Sequence, residues 1–150
     1  MKILMNLFIL LATLQLSAQI TDFEVKCEVE FFSYTAFEDD PAYSDIPAVK
    51  LVLTVTNTGA EPIPDLCVSN RSELVNLYIN DTLNNPLSLY NGIEAPGEHL
   101  LQKGEFDVYE FWFFERDAWA EVFTVQWEYM NVRSDKFLIN IPLHKIVKSD

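Results

Sequence analysis

Basic residues are scarce in this chain. Lys and Arg total 10 against 23 Asp and Glu, a formal net charge of −13. Phosphate backbones and anionic membrane surfaces are held by a basic footprint, so both are excluded as partners. Histidine is scarcer still: only His99 and His144 occur, one beside Pro96-Gly97 and one near the C-terminal end. No His/Cys grouping has the spacing of a zinc site, and no Gly-x-Ser-x-Gly elbow offers a nucleophilic serine. No stretch of ten or more residues shows helical amphipathic periodicity. Together these absences give a non-enzymatic reading with no cofactor.

The chain opens on "MKILMNLFILLATLQLSAQ". Lys2 supplies a positive start, Ile3 to Leu16 an apolar stretch, and Leu16-Ser17-Ala18 a small-residue end. That is the layout of a signal peptide over residues 1–18, with cleavage before Gln19. The stretch falls short of the ~20 apolar residues that span a bilayer and carries polar Asn6, Thr13 and Gln15. The expectation is an exported protein, periplasmic or extracellular, without membrane insertion after cleavage. Residues 19–150 form a single domain on length. Losing Lys2 leaves 9 basic against 23 acidic residues, a net −14.

Two cysteines remain, Cys27 and Cys67. An oxidising compartment and an even count predict a Cys27–Cys67 disulfide. In the chain-entropy model a bridge closing ~40 residues is worth about 4 kcal/mol. The alternative is two buried thiols.

Most of the rest alternates. In "FEVKCEVEFF", residues 23–32, Phe23, Val25, Cys27, Val29 and Phe31 share one face and Glu24, Lys26, Glu28 and Glu30 the other. That pattern predicts a half-buried antiparallel strand. "VKLVLTVTN", 49–57, repeats it with Val49, Leu51, Leu53 and Val55 inward. Asn57-Thr58-Gly59 reads as a turn tolerant of positive φ. Pro62 and Pro64 confine the segment before Cys67 to an edge strand or extended loop. "FDVYEFWFF", 106–114, and "VFTVQWEYM", 122–130, are aromatic and β-branched, the second with Phe123, Val125, Trp127 and Tyr129 in phase. "KFLINIPL" closes the series with Phe137, Ile139, Ile141 and Leu143 in phase. Seven or eight short strands predict an all-β antiparallel sandwich or barrel.

"LVLTVTNTGAEPIPDL", "EAPGE" and "VFTVQWEYMNVRSDKFLINI" resemble immunoglobulin-like β-sandwich domains of exported bacterial proteins. The layout over residues 45–142 is similar to the bacterial intracellular proteinase inhibitor family. The resemblance implies an immunoglobulin-like sandwich. It carries over no inhibitory loop, and the signal peptide and cysteines depart from an intracellular inhibitor.

Two loops are candidate contact sites. "FEDDPAYSD" gathers Glu38, Asp39, Asp40 and Asp45 beside Phe37 and Tyr43. Its oxygens suit Ca²⁺ in kind, but the spacing is not that of an EF-hand. Aromatics beside charges are typical interface anchors. "FFERDAWAE" presents Arg116 and Trp119 between two aromatic strands. The functional expectation is an exported binding module of inhibitor or immunity type. Its partner is a protein, with a basic target favoured by the charge. The alternative is a structural or accessory domain of a cell-envelope or surface assembly.

Overall fold

The structure, a computed structural model, describes residues 22–35, 45–67, 71, 73–84 and 99–149. The leader and the loop residues Phe37, Glu38, Asp39, Asp40 and Tyr43 lie outside the described residues. Ten strands occur among those described: β1 (Phe23–Tyr34), β2 (Ile46–Asn57), β3 (Ile63–Pro64), β4 (Val75–Ile79), β5 (Thr82–Leu83), β6 (Leu100–Leu101), β7 (Phe106–Phe114), β8 (Val122–Tyr129), β9 (Val132–Asn140) and β10 (Lys145–Ser149). A 3-10 turn, Glu115–Asp117, joins β7 to β8. No helix among these residues is long and apolar enough to cross a membrane.

The protein is all-β and antiparallel, and its sheets do not close into a barrel. One sheet has the order β1-β2-β7, the other β10-β9-β8-β4-β5, and β3 pairs with β6 as a two-stranded ribbon. The sequence phases decide which side of each sheet is dry. Val49, Leu51, Leu53 and Val55 of β2 are fully buried, and Phe23, Val25, Val29 and Phe31 of β1 pack beside them. From the other sheet Phe123, Val125, Trp127 and Tyr129 of β8 enter the same core, with Val75, Leu77 and Ile79 of β4. Truncating a side chain as large and as buried as Trp127 typically costs about 3–5 kcal/mol, so this stripe carries much of the stability.

Two turns are tighter than the sequence suggests. Met130 (φ 48°) and Asn131 (φ 67°) form a two-residue reversal between β8 and β9, and Asn80 (φ 50°) and Asp81 (φ 61°) form another between β4 and β5. Paired positive φ values match the twist of a hairpin. After β9 the chain turns at residues 141–144 and adds β10, a strand absent from the sequence reading. Leu143 therefore stands exposed in a turn instead of continuing the inward stripe.

The joint after β2 depends on a buried carboxamide. Asn57 Nδ2 donates to the carbonyls of Glu61 (2.9 Å) and Leu101 (2.8 Å), and its Oδ1 accepts from Gly59 N–H at 2.9 Å. Its own N–H reaches Glu105 O and its carbonyl accepts from Gly104 N–H. Gly59 is needed here for space and not for positive φ: a Cβ would lie 2.3 Å from Asp22 Cβ. The N–H groups of Thr58 and Gly59 both bond Asp22 O, which fixes the start of β1 at this corner.

The expected disulfide is not formed. Cys27 is buried in β1, its thiol facing Ser134 of β9. Cys67 follows Leu66, whose N–H donates to Asp107 Oδ2 of β7 at 2.9 Å. Strand β2 lies between β1 and β7. Two interstrand spacings are about 10 Å, beyond the ~7 Å Cα separation a disulfide spans. Burial, the largest influence, pushes the Cys27 thiol up to about 12, and only the thiolate is a nucleophile. Unreduced protein is therefore expected to show no loss of two hydrogens by mass spectrometry. Native Cys27 should resist alkylation at neutral pH and react once urea unfolds the chain. A native mass lower by two hydrogens would contradict this placement.

Candidate functional site

The two outer sheet faces are finished differently. On the five-stranded sheet Glu128, only 8 % exposed, accepts from Asn76 Nδ2 (3.0 Å), Tyr78 OH (3.3 Å) and Arg133 Nε (3.1 Å). The Arg133 guanidinium also covers the Tyr78 ring at 4.3 Å. Burial pushes the Glu128 carboxyl up, but the donors from Asn76, Arg133 and Tyr78 together outweigh it and hold it below the usual carboxylate range. Around Glu128 that face is a satisfied polar network, while Leu83, Val122, Leu138 and Val147 stand exposed elsewhere on the same sheet.

The outer face of the three-stranded sheet ends in aromatic rings. Register sets it out in rows: Phe32, Ala48 and Phe114 lie side by side, then Glu30, Lys50 and Trp112, then Glu28, Val52 and Glu110. Ala48 is fully buried although it points away from the core. Its small side chain lets the rings close over it. Tyr34 stacks on Trp112 with centroids 4.7 Å apart, and Phe114 meets Trp112 edge-on at 5.3 Å. Phe32 meets the same indole perpendicularly at 6.1 Å. Such pairs add about 0.5–1.5 kcal/mol each beyond burial. Trp112 is still 40 % exposed, and the same face of β7 carries exposed Val108 and Phe106.

Charge surrounds these rings. Lys50 Nζ lies 2.5 Å from Glu30 and 4.0 Å from Glu110, and 5.9 Å above the Phe32 ring. Arg116 lies over Phe114 at 5.0 Å. Beside the rows runs a groove of about 640 Å³ lined by Lys26, Glu28, Glu30, Lys50, Glu110 and Asp135, among others.

The structure sorts the expected site residues. Arg116 joins the outer ring cluster. Asp45, exposed and at φ 56°, sits one residue before β2, whose Ile46 pairs with Tyr34. Tyr34, the last residue of β1, and Ile46, the first of β2, thus meet at the end of the sheet where the rings gather; Phe37, Glu38, Asp39, Asp40 and Tyr43 lie outside the described residues. Trp119 lies apart from that cluster: it packs on Phe113 (4.9 Å), Phe123 (5.6 Å) and Phe111 (6.3 Å) at the end of the core and keeps 36 % of its surface exposed. His144 stacks on Phe31 at 4.2 Å, and its Nε2 lies 2.7 Å from Glu115 Oε1. No cluster of three or more His, Cys, Asp or Glu among the described residues is placed to hold a metal.

Sequence reasoning missed Phe32, Trp112 and Phe114. The available signal was that the even positions of β7 read Phe106, Val108, Glu110, Trp112 and Phe114, mostly apolar, so that large apolar side chains fall on both faces of one strand. Comparison with protein-family models, curated proteins and solved structures finds no match for this chain.

If the rings close over Ala48, Ala48→Leu must push them apart. Overpacking of this kind costs about 1–3 kcal/mol. A lowered urea midpoint with an altered near-ultraviolet dichroism spectrum is expected, and an unchanged midpoint would show that the roof is loose.

Proposed function

We propose that this protein is an exported, non-enzymatic binding module that engages a protein partner through the outer face of its three-stranded sheet. The observation that carries this reading is the ring cluster of Phe32, Tyr34, Trp112 and Phe114, in which the half-buried rings hold an exposed Trp112 with Glu30 and Glu110 beside it. Aromatic anchors with charged surroundings are the usual composition of a binding hot spot. The net charge of −13 favours a basic partner, which it would steer at long range. Export rests on the leader over residues 1–18, and places the module in the periplasm or outside the cell.

An immunoglobulin-like sandwich is the fold reading that the sheet order supports. Taking β1, β2 and β7 as strands A, B and E, and β9, β8, β4 and β5 as G, F, C and C′, gives the two-sheet pattern of that fold. It departs from antibody domains in lacking the inter-sheet disulfide, and it adds β10 outside strand G. Inhibitor or immunity activity fits the charge and the absence of catalytic groups. A second reading, an accessory domain of an envelope or surface assembly, is favoured by the exposed apolar row Phe106, Val108 and Trp112 on β7, which an assembly would cover.

The test is affinity capture from bacterial envelope extract, with the processed protein immobilised beside a Phe32→Ala/Tyr34→Ala double variant. The expected result is a basic protein retained by the wild type, released as salt rises, and not held by the variant. Equal retention by both would move the site off this face, and a salt-insensitive acidic partner would remove the electrostatic reading.

A further inference from the structure

We propose that the ring cluster is a receptor for a guanidinium group, so that the partner docks by an arginine laid on Trp112 and bonded to Glu110. This rests on the reading of the outer face as a protein-binding surface and names the chemistry of its anchor. Four observations converge on it.

First, the cluster already holds cations on its rings: Lys50 lies over Phe32 and Arg116 over Phe114. Second, Trp112, the best cation–π ring type, has no cation of this protein placed on it among the described residues and keeps 40 % of its surface open. Third, Glu110 is the next outward side chain along β7, and its charge is undercompensated. Its ion-pair partner among the described residues, Lys50, is committed to Glu30 at 2.5 Å and reaches Glu110 only at 4.0 Å. Fourth, the adjoining groove is lined by Glu28, Glu30, Glu110 and Asp135; Lys26, Lys50 and Lys148 pair with Glu28, Glu30 and Asp135, which leaves Glu110 with the longest ion pair of the four. A basic segment anchored at Trp112 finds complementary charge on leaving it.

Arginine suits this geometry better than lysine. Its planar, weakly hydrated guanidinium stacks on an indole while its edge donates two parallel bonds to a carboxylate. An ammonium makes a point contact and loses more hydration.

The experiment measures binding of fluorescent hexa-arginine, hexa-lysine and a neutral glucose hexamer to the whole processed protein by anisotropy, at two salt concentrations. The variants are Trp112→Ala, Glu110→Gln and the pair Asp39→Asn/Asp40→Asn, each checked for native dichroism. Hexa-arginine should bind more tightly than hexa-lysine. Trp112→Ala and Glu110→Gln should each weaken it roughly tenfold, the size of a partly desolvated cation–π or charge-assisted contact. The loop pair should mainly flatten the salt dependence. Glu110→Gln preserves the test if Trp112→Ala destabilises the sheet. Equal affinity for the two peptides, or binding indifferent to both Trp112 and Glu110, overturns the receptor. If only the loop pair abolishes binding, the receptor is overturned while the protein-binding reading stands. Failure of both peptides, with or without Trp112-dependent binding of the sugar, overturns both.

Discussion

The buried side chain of Asn57 is the constraint on which the arrangement depends. It sits where β2 leaves the three-stranded sheet, with no exposed surface and every polar atom engaged. Through it the end of β2 is tied to the Glu61 carbonyl, to β6 at Leu101 and, by backbone bonds, to the Gly104 turn that launches β7. Burying an amide costs free energy unless its bonds are made. A position that satisfies them all admits little else: aspartate would lose both donors, and leucine would leave two carbonyls without partners. The register of β7 against β2 is set at this joint. The outer rows depend on that register, because one residue of slip would turn Trp112 and Phe114 to the core side.

The fold was legible wherever hydrophobicity alternated. The stripes Val49–Leu51–Leu53–Val55 and Phe123–Val125–Trp127–Tyr129 lie inward as their spacing predicts. What escaped notice was backbone chemistry that side-chain patterns do not record. Met130 is an unusual residue at positive φ, so the β8–β9 hairpin left no recognisable turn signature. Gly59 was identified as a turn residue, but the reason lies in Asp22, which is distant in sequence. The disulfide expectation failed because cysteine counting says nothing about which strands lie between two sulfurs.

The candidate site was half legible. Charge drew attention to residues 38–45 and to Arg116, and the structure puts Arg116 and Asp45 at the end of the sheet where the rings gather. Trp119, the loop tryptophan, rests against inward rings from β7 and β8 and still keeps an exposed side. Trp112 was overlooked because β7 is apolar on both faces, and sequence cannot say which face meets the other sheet. The contrast between the faces gives the outer rings their meaning. The opposite sheet satisfies Glu128 among its neighbours and exposes aliphatic side chains at Leu83, Val122, Leu138 and Val147, whereas this one exposes an indole, Trp112, next to the Glu110 carboxylate.

The central claim is that Asn57 holds the joint from which the sheet and its outer rows are positioned. The most direct measurement is equilibrium urea unfolding of Asn57→Ala. The substitution leaves Glu61 O and Leu101 O without their donor, while Gly59 N–H keeps its bond to Asp22 O. At roughly 1–3 kcal/mol for each abandoned group, a loss of about 2 kcal/mol or more is predicted. A loss below about 1 kcal/mol, the ordinary effect of a point substitution, would contradict the account.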